Sequence, residues 1–424
     1  MRVIVTIEQR LARTPDGRVW TPAQFSYSFW RRYLEVFDAV RILARVRDVN
    51  TVGLEAQQVD GDGATVVAVP HYIGPWECLR NAVGILSAVR RAVDGHDAVI
   101  LRVSSALATC VHWHLHRQKR PYGVEVVCDP HDVFAPGVVS APLRPLVRKY
   151  FSHVQAKQCA DACGASYVTE RVLQSRYPCQ RLEVAVSDVE IGGENGFPPV
   201  ELDTGRGDRD RTGETFSSAH ERKRNRRFNV ITVASLDRLY KGTDVLIGAV
   251  ARVVRDGHDI ELVVVGDGAC REALERQAAA QGIAERIAFT GLLREEGLRR
   301  RLDESDLFVL PSRAEGLPRA MIEAMARGIA CIGSRVGGIP ELLEADRLVA
   351  PGDEEGLSRA ITDMLTHPNR RQEIARRDYA KAMEFHATLL GERRRRFYQH
   401  VRQATDEWLR GSADVPVCTT PADV

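Results

Sequence analysis

What this sequence has little of narrows it first. It has no apolar run of membrane-spanning length: AVIL at 98–101 and ELVVVG at 261–266 have polar flanks and fall far short of the ~20 residues a crossing helix needs. It has almost no net charge, +2 from 59 basic and 57 acidic residues, so no electrostatic footprint argues for nucleic acid as a partner. The opening MRVIVTIEQR reaches Glu8 with no long apolar stretch behind it, and no secretory signal is expected. No internal repeat at a fixed short period is visible. Nine cysteines, an odd number scattered over 424 residues, suit reduced thiols in a cytosolic protein better than a disulfide framework. What is there, 44% hydrophobic and 27% charged residues, is the balance of a soluble globular chain. Its length suggests two or three domains.

Strand and helix patterns alternate in two series. Residues 2–6 (RVIVT) read as a buried strand, and the Pro-Asp-Gly turn at 15–17 predicts a small hairpin behind it. Phe25, Phe29, Tyr33 and Phe37 recur every four residues and predict a helix within 23–37. Strands VRILARV, TVVAVP, AVILRVSS and VEVVCD alternate with helices near 75–92, 106–119 and 141–162. That order belongs to an open, mostly parallel sheet with helices on both faces. Residues 188–227 (GGENGFPP, TGRGDRDRTGET, HERKRNRR) lose apolar periodicity and read as a linker with a charged insertion. At Phe228 a second series begins, with strands FNVITVAS, IELVVVG, RIAFTG, DLFVLPS and ACIGS between helical stretches. Long helices follow over 371–410, then a loose tail over 411–424. The expected domains are 1–187, a linker over 188–227, and 228–387, with a helix at about 388–410 packing back on the first. The fold class expected is α/β: two doubly wound Rossmann-like domains facing across a cleft, with ligands beyond the carboxyl ends of the strands.

The chemistry gathers at such strand ends in the second half. SRAEGLPRAMIEAMARG (312–328) follows a buried strand with a loop carrying Glu315 and Gly316, then a helix for which Pro318 suits the first turn. The free N–H groups and positive dipole end of that helix make an anion site fit for a diphosphate. Glu323 lies about a turn and a half into the helix, so that both carboxylates can face one ligand; the bland alternative is an amphipathic helix with a surface glutamate. In VASLDRLYKGTDVLI (233–247), Arg238 and Lys241 precede a helix, and two cations there suit a pyrophosphate, or make an ordinary basic loop. VVVGDG (263–268) lacks the G-x-G-x-x-G spacing of a nicotinamide fingerprint. In SRVGGIPELL (334–343), Gly337 and Gly338 let backbone approach a ligand.

As a set, E-G-L-P-x-x-x-x-E with VGGIPE behind it and Lys-Gly before it resembles the retaining glycosyltransferases of family four, which have the GT-B fold. The resemblance is close over about 228–365. It implies that Glu323 holds the ribose of a nucleotide diphosphate sugar and that Glu315 holds hydroxyls of the transferred sugar. Gly316 and Leu317 amides would meet the donor, Lys241 would neutralise the diphosphate, and residues from Ile287 to Gly291 would line the base. It implies retention and no metal or other cofactor. One departure stands out: Ala234-Ser235 replaces the family's frequent Gly-Arg, so Arg238 is the candidate for the missing cation. The Ala- and Arg-rich composition suggests a bacterial source, and family habit suggests polysaccharide biosynthesis, with a glycan or lipid-linked acceptor.

The first half is harder to read. The family's glycine-rich loop after the first strand is absent, and Arg10 and Arg13 are either contacts for an anionic acceptor or surface arginines. Relatives often carry a His or Asp behind the strand that faces the donor; Asp129 matches best and His131 is the other candidate. His112 and His116 share a helix face, but a metal site there needs a third ligand that the sequence does not name. RPLVRKYF (144–151) is either a surface helix or a peripheral membrane contact, at the inner face of the membrane for a cytosolic enzyme. The rivals to sugar transfer are a nucleotide-sugar epimerase on the same fold and an inactive sugar-nucleotide-binding scaffold. Ser235 favours the scaffold, while intact Glu315, Lys241 and Glu323 favour transfer.

Overall fold

Strand β6 (Ala98–Val103) is buried along its whole length, the near-continuous apolar run of a parallel strand covered on both faces. Around it, in a computed structural model that describes residues 1–22, 25–53, 55–93, 95–134, 143–193, 197–200 and 227–413, the chain divides into two units. The first unit comprises Met1–Pro130, Lys149–Val186 and, of the last segment, residues 391–413; the second comprises His131–Arg148 and Ser187–Leu390. Of the linker with a charged insertion expected over 188–227, residues 194–196 and 201–226 lie outside the described residues, as does the expected tail from 414 on.

The first unit's strands are β1 (Arg2–Arg13), β2 (Val19–Thr21), β3 (Ala39–Asp48), β4 (Gln57–Gln58), β5 (Ala64–Pro70), β6, β7 (Gly123–Val126), β8 (Gly164–Tyr167) and β9 (Leu182–Ala185). Among the described residues these make one sheet in which β5, β3, β1, β6, β7, β8 and β9 run parallel. β2 folds back antiparallel on the far end of β1 through the expected turn, where Gly17 takes φ 85°. β1 is longer than the expected 2–6: after an irregularity between Thr6 and Arg10 it rejoins β3 and continues to Arg13. Its side chains alternate between two cores. Ile4 packs with Leu43, Leu101 and Val124 on one face, while Val3 and Val5 pack with Ile42, Ile100, Phe397 and Tyr398 on the other. The helix expected within 23–37 forms only over Tyr27–Leu34, and Phe25 before it takes a left-handed φ of 72°.

The second unit's strands are β10 (Phe228–Val233), β11 (Ile260–Val265), β12 (Ile287–Gly291), β13 (Leu307–Leu310), β14 (Ala330–Ser334) and β15 (Leu348–Val349). They form a wholly parallel sheet in the order β12-β11-β10-β13-β14-β15, packed against helices on both faces. The α/β class with two doubly wound units is therefore as expected. Among the described residues no helix is long and apolar enough to cross a membrane.

Candidate functional site

In the second unit, β10 is flanked by β11 on one side and β13 on the other, so the strand order reverses there. Open α/β sheets bind ligands at such a switch point, beyond the strands' carboxyl ends. A cavity of about 870 Å³ opens there, lined among others by Ser235, Asp237, Lys241, Gly268, Glu315 and Leu317. The turn after β11 presses on the turn after β10. Gly266 takes φ 138°, and a Cβ on it would stand 1.9 Å from the Ala234 carbonyl oxygen, so no larger residue fits.

Two carbonyl-to-glycine approaches hold the acidic loop. Gly242, at φ 72°, brings Lys241 beside the end of β13; a Cβ there would lie 2.0 Å from the Pro311 carbonyl oxygen. Lys241 Nζ then donates to Glu315 Oε1 at 2.6 Å, and Ser312 Oγ donates to the same oxygen at 2.8 Å. Ser312 is itself tied down by the Ser334 hydroxyl, which donates to its carbonyl. The Glu315 side chain is only 7% exposed and Lys241 19%, so this pair is sheltered from solvent screening. Arg313 braces the loop from the other side with a bidentate pair to Asp244 at 2.8 and 2.7 Å.

The helix Arg319–Ala326 follows directly, with Pro318 at its N-cap and no side chain capping it. The first backbone bond inside it is Ile322 N to Pro318 O at 3.3 Å, which leaves the amides before it without intrahelical partners. Glu323 is 8% exposed and, unlike Arg319, is not among the residues that line the cavity. Burial pushes its carboxyl above the usual range, and the Arg319 guanidinium, 3.5 Å away, opposes that only in part. Gly337, at φ 51°, packs on the Glu315 carbonyl, and Gly338 N donates to Gly316 O at 2.6 Å, so the second glycine pair fixes the acidic loop.

The remaining candidates are placed as follows. Ser235 lines the cavity, and its hydroxyl donates to Asp237 at 3.1 Å. Arg238 is exposed and outside the lining. Gly291, at φ 70°, ends β12 and accepts from Gly266 N at 2.9 Å, thereby holding the neighbouring turn. Asp129 is buried, its oxygens taken by the Arg176 guanidinium and by the Tyr177 hydroxyl at 2.6 Å. The strand before it stops at Val126, two residues short of the expected Cys128. His131 is half exposed, with Nδ1 3.0 Å from Asp132 Oδ1. Arg13 pairs with Asp48 on the surface. In the helix Arg144–Asp161, Leu146 and Tyr150 are exposed. Sequence reasoning missed Ser312, the Arg313–Asp244 brace and the apolar wall of Leu292, Leu293 and Leu298. Only the adjacency of Ser312 and Arg313 to Glu315 hinted at the first two. A larger groove of about 1180 Å³ holds Asn229, Glu261 and Arg301 near the amino ends of the same strands, the end where such sheets do not bind ligands.

Comparison with known proteins decides the class. The sequence profile described as Glycosyl transferases group 1 matches residues 227–367. Those residues resemble a group 1 glycosyltransferase region. The chain is 26% identical over 352 residues to Protein CapJ of Staphylococcus aureus, spanning 82% of this chain and 83% of that protein. Over 150 residues it is 33% identical to a GDP-mannose-dependent alpha-(1-6)-phosphatidylinositol monomannoside mannosyltransferase of Mycolicibacterium smegmatis, but this covers 32% of this chain and 39% of that enzyme. The match to the alpha-D-kanosaminyltransferase of Streptomyces kanamyceticus, 30% identical, likewise spans 36% of that enzyme. Among solved structures, the fold resembles sucrose-phosphate synthase from Thermosynechococcus elongatus (TM-score 0.69, 16% identity, 95% of this chain and 100% of that one). It also resembles Anabaena Alr3699/HepE in complex with UDP and glucose (TM-score 0.60, 14% identity, 98% and 100%). The glycosyltransferase region carries every element of the cavity at the switch point.

Proposed function

We propose that this chain transfers a sugar from a nucleotide diphosphate sugar to a hydroxyl of a glycan or lipid-linked acceptor, with retention at the anomeric carbon and without a metal in the transfer step. The observation that carries the reading is Lys241 bonded to a sheltered Glu315 beside an uncapped helix N-terminus. The diphosphate would accept from the amides at the start of the helix Arg319–Ala326 and draw on the charge of Lys241. Both stabilise the negative charge that grows on the leaving group. Glu315 would then be free to accept sugar hydroxyls, Glu323 would accept from the ribose, and Leu292, Leu293 and Leu298 would pack on the base. UDP in the Alr3699/HepE structure and GDP-mannose in the mycobacterial relative's name support a nucleotide diphosphate donor without choosing the base. Asp129, already held by Arg176 and Tyr177, positions the first unit's chain in this reading. A lipid-linked acceptor is supported by the exposed Trp76, Leu79 and Val83 of the first unit, which leave an apolar face open near Arg80.

The test is release of nucleotide diphosphate from a panel of nucleotide sugars, alone and with acceptor extracts. Lys241→Met is expected to lower kcat/KM by roughly 100- to 1000-fold, the range for one preorganised charge-stabilising group. Donor that returns as a different nucleotide sugar, with no diphosphate released, would make the protein an epimerase. Donor binding with no turnover under any condition would make it a scaffold.

A further inference from the structure

Two histidines one turn apart in the helix Ala106–Arg117 meet a carboxylate from another helix. The rings of His112 and His116 stand 5.8 Å apart on one face. The third group, which the sequence could not name, is Asp161, the last residue of the helix Arg144–Asp161. His112 Nε2 lies 3.4 Å and His116 Nδ1 3.3 Å from Asp161 Oδ2, and the ligand atoms of all three fall within 4.8 Å of one another. The His112 side chain is 9% exposed, and its Nε2 is buried without a hydrogen-bond partner. These separations exceed the ~2.7–3.2 Å of an N–H···O bond. They match the spacing of neighbouring ligands around a tetrahedral ion: atoms held ~2.0–2.1 Å from zinc stand about 3.3–3.4 Å apart.

We propose that His112, His116 and Asp161 bind a divalent transition-metal ion of the zinc type, with the remaining position open to solvent. Two imidazoles and one carboxylate are a donor set for such an ion, not for a hard all-oxygen cation. His116, 54% exposed, and Asp161, 32% exposed, leave an entry path to the buried His112. Both helices end at this point, and helix carboxyl ends favour a cation. Lys157, one turn before Asp161, is the nearby positive group that opposes it. The two helices each run back from the carboxyl end of a strand, so their last turns sit by the amino ends of β7 and β8. That is the end of the sheet away from ligand-binding strand ends, and the ion therefore clamps two helices of the first unit together. The proposal stands independently of the sugar-transfer reading.

The test uses the full chain without a polyhistidine tag, stripped with chelator and dialysed against Zn(II), with metal analysis and with Co(II) as a spectroscopic probe. One ion per chain, tetrahedral Co(II) absorption bands, and a Zn(II)-dependent rise in Tm are expected. His116→Ala, at a half-exposed position that leaves the fold intact by circular dichroism, should bind at least tenfold more weakly and lose the bands, and Asp161→Asn should behave alike. Absence of stoichiometric uptake would overturn the site. So would variants that bind as the wild type does, which would move the ion elsewhere.

Discussion

Glu323 shows how burial sets chemistry at a single residue. Its carboxyl is pushed up because the charged form loses its water, and Arg319 at 3.5 Å restores only part of that loss. The sign of this shift has two consequences. The folded free protein holds the proton more tightly than the unfolded chain, so this group's stabilising contribution is present at low pH and lost as pH rises through the raised value. Under the proposed function, ribose recognition by Glu323 would run the other way, because only the carboxylate accepts from two hydroxyls. Nucleotide affinity is therefore expected to be full above the raised value and to fall as acidification passes through it. Calorimetric titration checks this: Glu323→Gln should bind weakly and without that pH slope. An unchanged slope in the variant would place the titrating group elsewhere. Glu315 and Glu323 were legible as candidates because their spacing follows one loop and one helix, and Lys241 because it closes the turn after an earlier strand. Ser312 and the Arg313–Asp244 brace were not, because nothing in a serine or an arginine says which neighbour it will hold until the loop has closed.

At the scale of elements, the site is a set of turns held by glycine. Gly337 packs where a Cβ would stand 1.9 Å from the Glu315 carbonyl oxygen, at a φ of 51° that a side chain tolerates poorly. Gly337→Ala should destabilise the protein by on the order of 1 kcal/mol or more. It should also weaken nucleotide binding beyond that, because the displaced loop carries Glu315. A fluorescence-monitored urea titration with a parallel binding assay separates the two effects, and unaltered binding would show that the glycine serves only the turn. The strands and helices of the second unit were largely readable, since each parallel strand is a short apolar run closed by glycine or proline. The first unit was harder. The alternating polar residues of β1 beyond Thr6 hide its continuation, and only pairing with β3 across an irregularity makes it a strand.

At the scale of the whole molecule, each unit closes its own core, and the first borrows from the end of the chain. Residues 391–413 belong to that unit, where Phe397, Tyr398 and Val401 pack on β1, β3 and β6. The buried Glu125 takes hydroxyls from Tyr33 at 2.9 Å and from Tyr398 at 3.1 Å beside the Arg102 guanidinium. Burying a carboxylate demands such a full set of donors, and here they come from three distant parts of the sequence. No local pattern could have paired Tyr33 with Tyr398, whereas the two-series organisation was plain from the repeated strand–helix alternation.

The central claim, a nucleotide diphosphate site at the switch point of the second unit, is tested most directly by a thermal-shift screen. UDP, GDP, ADP and their sugars would be compared on the wild type and on Glu323→Ala. One nucleotide class at ~100 times its dissociation constant should stabilise the wild type by about 2.7 kcal/mol, and the variant much less. A screen in which no nucleotide shifts the wild type, or in which the variant responds equally, would contradict the account.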